Sequence, residues 1–206
     1  ISNNEKRSYF NTPEDNPKII LESRNALESI YTSEFNHFYY QKQIHSDIVL
    51  IDPSPNSIEI IESDAIISNL SGILYNVSIA DCQAILVYDP INNAIAAIHS
   101  GWKGTSLNIV GKTISKLIDT YGTNPSKLLV YLAPSACLEN YEVGIEFTEL
   151  FPETTIKIED KYYFDNRKKI SNQLLETGVR NNNIESNIEC TITSNRYHSY
   201  RRDKNA

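Results

Sequence analysis

The chain contains no methionine at any of its 206 positions, one tryptophan, three cysteines and four histidines. Three cysteines, a small and odd number, cannot build the disulfide framework of a small secreted domain, so a reducing, cytoplasmic setting is expected. No apolar run approaches the ~20 residues that cross a bilayer, and no basic-then-apolar leader opens the chain. The lack of an initial Met leads to the expectation that residues are missing at both termini. Positive charge is also short. Lys and Arg number 19 against 26 Asp and Glu, a net charge of -7, which repels nucleic acid and anionic membrane. The one basic cluster, Arg196 to Lys204, is too short to reverse that. With no repeat, low-complexity tract or linker, residues 1–206 read as one domain. A hydrophobic fraction of 40% against 22% charged is enough for an ordinary core.

The stretch Ile79 to Thr105 organises what is there. Gln83 to Asp89 reads as a buried strand, Pro90 to Asn93 as a turn and Ala94 to His99 as the returning strand. Cys82 then stands just before the first strand and His99 at the end of the second, and an antiparallel hairpin brings the two together. The glycines of Ser100-Gly101-Trp102-Lys103-Gly104-Thr105 permit a sharp turn or a close backbone approach.

Around this hairpin the pattern predicts a helix over residues 15–30, capped by Asp15 or Asn16 with Pro17 in its first turn and the Arg24 guanidinium in solvent. Residues 38–52 read as strand, as do 58–61, 64–68 and 73–79. One helix is predicted from Thr105 to Tyr121, ended by Gly122. Then come a strand over 128–132, a short helix ending at Phe151, a strand over 162–164, a helix over 166–177 and a last strand over 188–192 carrying Cys190. Strands outnumber helices without βαβ repetition, so the class is α/β with mixed, α+β-like sheets.

Four histidines with no His-x-His pair cannot form the trinuclear copper centre of a true multi-copper oxidase. They can supply a mononuclear site from His45, Cys82 and His99, a set of two imidazoles and one thiolate that suits Zn²⁺ with a fourth position open. Spacings of 37 and 17 residues are unlike those of structural zinc modules, and two other readings use the same residues. Cys82 can be a buried small hydrophobe among core histidines. Cys82 can also be a thiolate nucleophile with His99 as its base and His45 orienting the pair. Gln43 and Asp81 lie at the ends of apolar runs and are candidate ligand or substrate contacts. Arg201 and Arg202 are the best anion binders, against the plainer reading of a solvated basic turn. Trp102 is a stacking surface or a packing anchor. Cys137 and Cys190 have no ligand-like neighbours and read as structural.

Gln43-Ile44-His45-Ser46, Ala80-Asp81-Cys82, Ala97 to Thr105, Pro134, Tyr141-Glu142-Val143-Gly144 and Ser199 to Asp203 together resemble, in order and rough spacing, the bacterial laccase-domain family, whose members carry polyphenol oxidase or multi-copper oxidase-like labels. The resemblance spans roughly residues 11–204. It implies a single-domain four-layer α/β/β/α sandwich similar to a toxin deamidase with a Cys-His pair. It implies zinc, with copper the lesser candidate, on His45, Cys82 and His99. The implied activity is phosphorolysis of purine nucleosides (adenosine, inosine or guanosine) to base and ribose 1-phosphate, with adenosine deamination and methylthioadenosine phosphorolysis beside it. Gln43, Asp81, Arg201 and Arg202 fall at substrate or phosphate contacts. The alternatives it carries are a cysteine-type hydrolase or amidase on Cys82 and His99 and the polyphenol oxidase of the label. The expected partners are small molecules, with no nucleic acid or membrane, and the chain is a monomer or homodimer. The segment before Asn11, His198 and the chain after Asp203 depart from the family pattern.

Overall fold

From residue 17 onward the chain alternates short strands with a few helices, described here for residues 17–54 and 61–203 of a computed structural model. The first elements are α1 (Pro17–Tyr31), β1 (His37–Tyr40), β2 (Val49–Ile51), β3 (Ala65–Ser68) and β4 (Ile73–Asn76). The central hairpin is β5 (Gln83–Asp89) and β6 (Ala94–Ser100). After it come α2 (Trp102–Ser106), α3 (Ile109–Tyr121), β7 (Leu129–Leu132), β8 (Glu142–Val143) and α4 (Phe147–Leu150). The last are β9 (Thr155–Ile158), β10 (Lys161–Phe164), α5 (Asn166–Glu176), β11 (Ile184–Ser186) and α6 (Tyr200–Asp203).

The hairpin lies at the centre of a six-stranded mixed sheet of order β11-β7-β5-β6-β3-β2. Its turn forms as the residues predict. Asn93 takes a left-handed φ of 51°, and Asp89 accepts from the N–H groups of Ile91 and Asn92. Ile85 and Val87 of β5 and Ala94, Ala96 and Ile98 of β6 point to one face, where they pack with Ile109, Val110, Ile114 and Leu117 of α3 and Ile170 and Leu174 of α5. At ~25 cal/mol per Å² this apolar face is the main stabilising layer of the domain. β8-β10-β9 and β1-β4 form two smaller sheets, each with its own cluster: Ala136, Tyr141, Phe147, Phe151 and Phe164 for the first, Tyr39, Ile66 and Ile73 for the second. The result is a single α/β domain with mixed sheets. Among the described residues no helix is long and apolar enough to cross a membrane.

Several boundaries differ from the sequence expectation. The strand predicted over 38–52 is two strands joined by an irregular loop that carries His45. The helix predicted from Thr105 breaks at Asn108, whose φ of 56° is left-handed and whose side chain caps α3 by accepting from Gly111 N. Leu107, inside the predicted helix, is 45% exposed as a result. Gly122 ends α3 in the left-handed region, as expected. The final strand lies at Ile184–Ser186, not 188–192, because Asn187 turns the chain by accepting from Glu189 N and leaves Ile188 in solvent. Cys190 keeps one isolated bridge, to Ser135. Arg24 does not point freely to solvent: its guanidinium lies 4.4 Å over the Tyr40 ring, half-buried. Asp15, Asn16 and most of the predicted 58–61 strand lie outside the described residues.

Candidate metal centre

Three segments deliver one donor each. His99 is the second-last residue of β6, the turn into β5 holds Cys82, and the loop between β1 and β2 holds His45. In the hairpin register Ala84 faces His99 and Gln83 faces Ser100, so the residue before β5 meets the residue after β6. Candidate ligand atoms of His45, Cys82 and His99 all lie within 4.8 Å of one another. Cys82 Sγ is 3.8 Å from His45 Nε2, and the imidazoles meet edge to face with centroids 4.9 Å apart. His99 is buried, Cys82 half-buried and His45 exposed, so the site opens to solvent on the His45 side.

Close approach there requires a missing side chain. A Cβ on Gly101 would stand 2.8 Å from Cys82 Sγ and 3.1 Å from His45 Cδ2. Its φ of -77° suits any residue, so space and not backbone conformation selects glycine. Gly101→Ala is expected to weaken metal binding tenfold or more with the far-ultraviolet circular dichroism unchanged, measured by competition with a chromophoric chelator.

Sequence reasoning missed the residue that assembles the site. Asp64, fully buried just before β3, accepts from His99 Nδ1 at 2.7 Å. It also accepts from the N–H groups of Ile44 (3.2 Å), His45 (3.0 Å) and Ser46 (2.6 Å) and from Ser46 Oγ (2.7 Å). One carboxylate thus fixes the proton of one imidazole on Nδ1, leaving Nε2 for a ligand role, and holds the loop of the other. His45 sits at a φ of 59°, a left-handed conformation costing roughly 1–2 kcal/mol, which those hydrogen bonds offset. The only available signal was an acidic residue directly before an apolar strand.

Electrostatics follow from this packing. Burial raises the Cys82 thiol, but hydrogen bonds from His45 and then His99 outweigh it and bring the thiol to about 6. Burial lowers His99, but Asp64 and Cys82 outweigh it and lift the imidazole to about 9. Burial raises Asp64, but hydrogen bonds from His99 and Ser46 prevail and hold it near about 2. Without a metal the group is a carboxylate, an imidazolium and a thiolate in a row. Thiolate is the ligating form, and a cation held there would take the place of the Nε2 proton of His99 while Nδ1 stays with Asp64.

The other predicted residues divide. Gln43 pairs with the backbone of Ser78, donating to its oxygen and accepting from its nitrogen at 2.8 Å each, and so fastens a loop. Asp81, at a φ of 84°, turns its carboxylate inward, accepting from Thr191 Oγ1 (2.7 Å), Ser199 Oγ (3.0 Å) and Arg201 N (2.8 Å). Arg202 spends its donors on the carbonyls of Thr191, Ile192, Ser194 and Tyr197 and on Asp203. Arg201 lies 4.4 Å over the Tyr141 ring and donates to Glu142 O at 2.5 Å. It lines a cleft of about 710 Å³ with Trp102, Glu142, Gly144, Glu146 and Phe147. Trp102 also packs on Phe147 with centroids 5.4 Å apart, so it is both packing anchor and cleft wall. Burial and then the nearby charge of Cys82 push the Tyr141 phenol up.

The family model described as multi-copper polyphenol oxidoreductase laccase matches residues 7–206. The chain belongs to this family. A purine nucleoside phosphorylase of Clostridium acetobutylicum is 37% identical over 207 residues, 95% of this chain and 85% of that protein. An adenosine deaminase, RL5, of an unknown prokaryotic organism is 25% identical over 189 residues, 84% of this chain and 72% of its own length. The crystal structure of the hypothetical protein YfiH of Bacillus licheniformis superposes with a TM-score of 0.86 at 20% identity, covering 93% of this chain and 79% of the other. The laccase-family chain has the same fold. Of the family label's several coppers, the described residues offer one group able to hold an ion, His45, Cys82 and His99.

Proposed function

We propose that this laccase-family protein is a zinc-dependent purine nucleoside phosphorylase. The observation that carries the reading is the convergence of one thiolate and two imidazoles within 4.8 Å of one another, with the His45 side open. Two nitrogens and one sulfur around an open position suit catalytic zinc better than the multiple coppers of the family label. The name of the Clostridium acetobutylicum relative supports the substrate class.

A zinc ion held there supplies Lewis-acid charge to water or a substrate oxygen. Everything else comes from the chain. Asp64 keeps the His99 proton on Nδ1 and so leaves Nε2 as the nitrogen that would ligate. Arg201 brings cationic charge to the cleft for phosphate, the role that Arg202 cannot fill because its N–H groups are spent on carbonyls and Asp203. Trp102, 36% exposed on the same wall, offers a flat apolar face to a purine. The bond from ribose C1′ to the base nitrogen breaks, a bond from C1′ to a phosphate oxygen forms, and the departing base takes up a proton. Adenosine deamination at the same centre is a side activity, in keeping with the name of RL5, and methylthioadenosine phosphorolysis is a second.

Metal analysis of the purified protein should return about one zinc per chain, and inosine with phosphate should yield hypoxanthine and ribose 1-phosphate. Loss of turnover on chelation and its return with zinc are expected. Zinc-loaded protein that turns over no purine nucleoside overturns the reading. Arg201→Ala is expected to raise the KM for phosphate about tenfold with KM for inosine changed less than twofold. A specific observation favours a second reading, a cysteine hydrolase: the Cys82 thiol, brought to about 6, stands 3.8 Å from His45 Nε2. Activity that survives chelation but is lost to a thiol alkylating agent would select it.

A further inference from the structure

The two cysteines outside the metal centre come together. Cys137 follows β7, and Cys190 lies between β11 and α6. Ser135 and Cys190 are bridge partners, and Thr191 N donates to Ser135 O at 3.1 Å. This register brings Cys137 N to 3.3 Å from Cys190 Sγ. The side-chain amide of Asn140 stands 3.1 Å from Cys137 Sγ and 3.8 Å from Cys190 Sγ, so one nitrogen touches both sulfurs. Both side chains are partly exposed and open to a small solute.

The two thiols are unequal. Burial, and then the hydrogen bond it gives to Cys190, push Cys137 up to about 11. Burial raises Cys190 too, but hydrogen bonds from the Cys137 side chain, the Cys137 N–H and the backbone of Thr193 and Ile192 outweigh it and lower it. A thiolate-forming sulfur beside a protonated one is the arrangement of an attacking and a resolving cysteine.

We propose that Cys137 and Cys190 form a peroxide-sensitive thiol pair that closes to a disulfide between the loop after β7 and the C-terminal segment. The Cys190 thiolate attacks one oxygen of hydrogen peroxide; an S–O bond forms, the O–O bond breaks, and hydroxide leaves. The Cys137 sulfur then attacks the sulfenic sulfur, loses its proton and displaces hydroxide, which departs as water. Two thiols and one peroxide give one disulfide and two waters, the two sulfurs together losing the two electrons that peroxide gains. The neighbours of both cysteines bind Asp81, Ala136 N on its backbone oxygen at 2.9 Å and Thr191 Oγ1 on its carboxylate at 2.7 Å. Closure therefore clamps the residue next to Cys82 on which Arg201 N also rests.

The test treats metal-loaded wild-type protein, in which Cys82 is engaged, with hydrogen peroxide. Remaining thiols are alkylated, and a non-reducing digest is read by mass spectrometry. A peptide linking Cys137 to Cys190 is expected in most chains and disappears with dithiothreitol. In Cys137→Ser the Cys190 sulfenic acid is expected to be trapped by dimedone, and in Cys190→Ser Cys137 remains alkylatable. The wild-type measurement stands whether or not either variant folds, and none of it depends on the phosphorylase reading. Alkylation of both cysteines at the rate of untreated protein, or disulfides that all involve Cys82, overturns the proposal.

Discussion

Cys82→Ala is expected to yield a folded protein that holds no stoichiometric metal and turns over no nucleoside, a loss of at least a thousandfold in kcat/KM. The thiolate is the one anionic donor in the cluster, and two imidazoles alone hold zinc far more weakly. The side chain is half-buried under Gly101, and its removal leaves a void smaller than two methyl groups, so destabilisation of the metal-free chain should stay near ~1 kcal/mol. Metal content by elemental analysis and hypoxanthine release from inosine check the two halves separately. A variant that retains full activity after exhaustive chelation would remove the metal from the account.

Asp64→Asn should separate assembly of the site from coordination. The amide replaces one acceptor oxygen with a donor, so at least one of the N–H and O–H groups of His45 and Ser46 loses its partner in a buried setting. An unsatisfied buried donor costs about 2 kcal/mol, which lowers the Tm of a chain this long by roughly 4–8 °C. His99 loses its anionic acceptor on Nδ1, keeping at best a neutral amide oxygen, and zinc affinity should fall about 10–100-fold, the range for such outer partners. Both effects are measured directly, one on metal-free protein by calorimetry and one by chelator competition. A Tm shift without loss of affinity would limit Asp64 to holding the loop.

The legible parts of this chain were those whose cause is local. The β5–β6 hairpin shows in the sequence because alternation, a Pro at the turn and an Asn tolerant of positive φ all agree within eighteen residues of one another. That Cys82 and His99 meet was legible from the same stretch, because the hairpin sets them side by side, while the residues alone left metal, nucleophile and core readings of the pair with His45 open. Asp64 was not, since its meaning depends on His99, 35 residues away, and nothing in Ser63-Asp64-Ala65 hints at that partner. Arg202 reads as an anion binder because the sequence displays a guanidinium but not the carbonyls that occupy it. The break at Asn108 escaped for the opposite reason: helical periodicity continues through it, and only a left-handed backbone with a side-chain cap reveals the interruption.

Asp81 ties the two ends of the reading together. Ser199 Oγ, 118 positions along the chain, and Arg201 N, 120 positions along, both settle on its carboxylate. Trimming the protein back past Ser199 would therefore not be a cosmetic change at a distant terminus. It would strand a buried anion with Thr191 as its remaining hydroxyl donor, one peptide bond from Cys82, so tail length and the expected cation retention should rise and fall together.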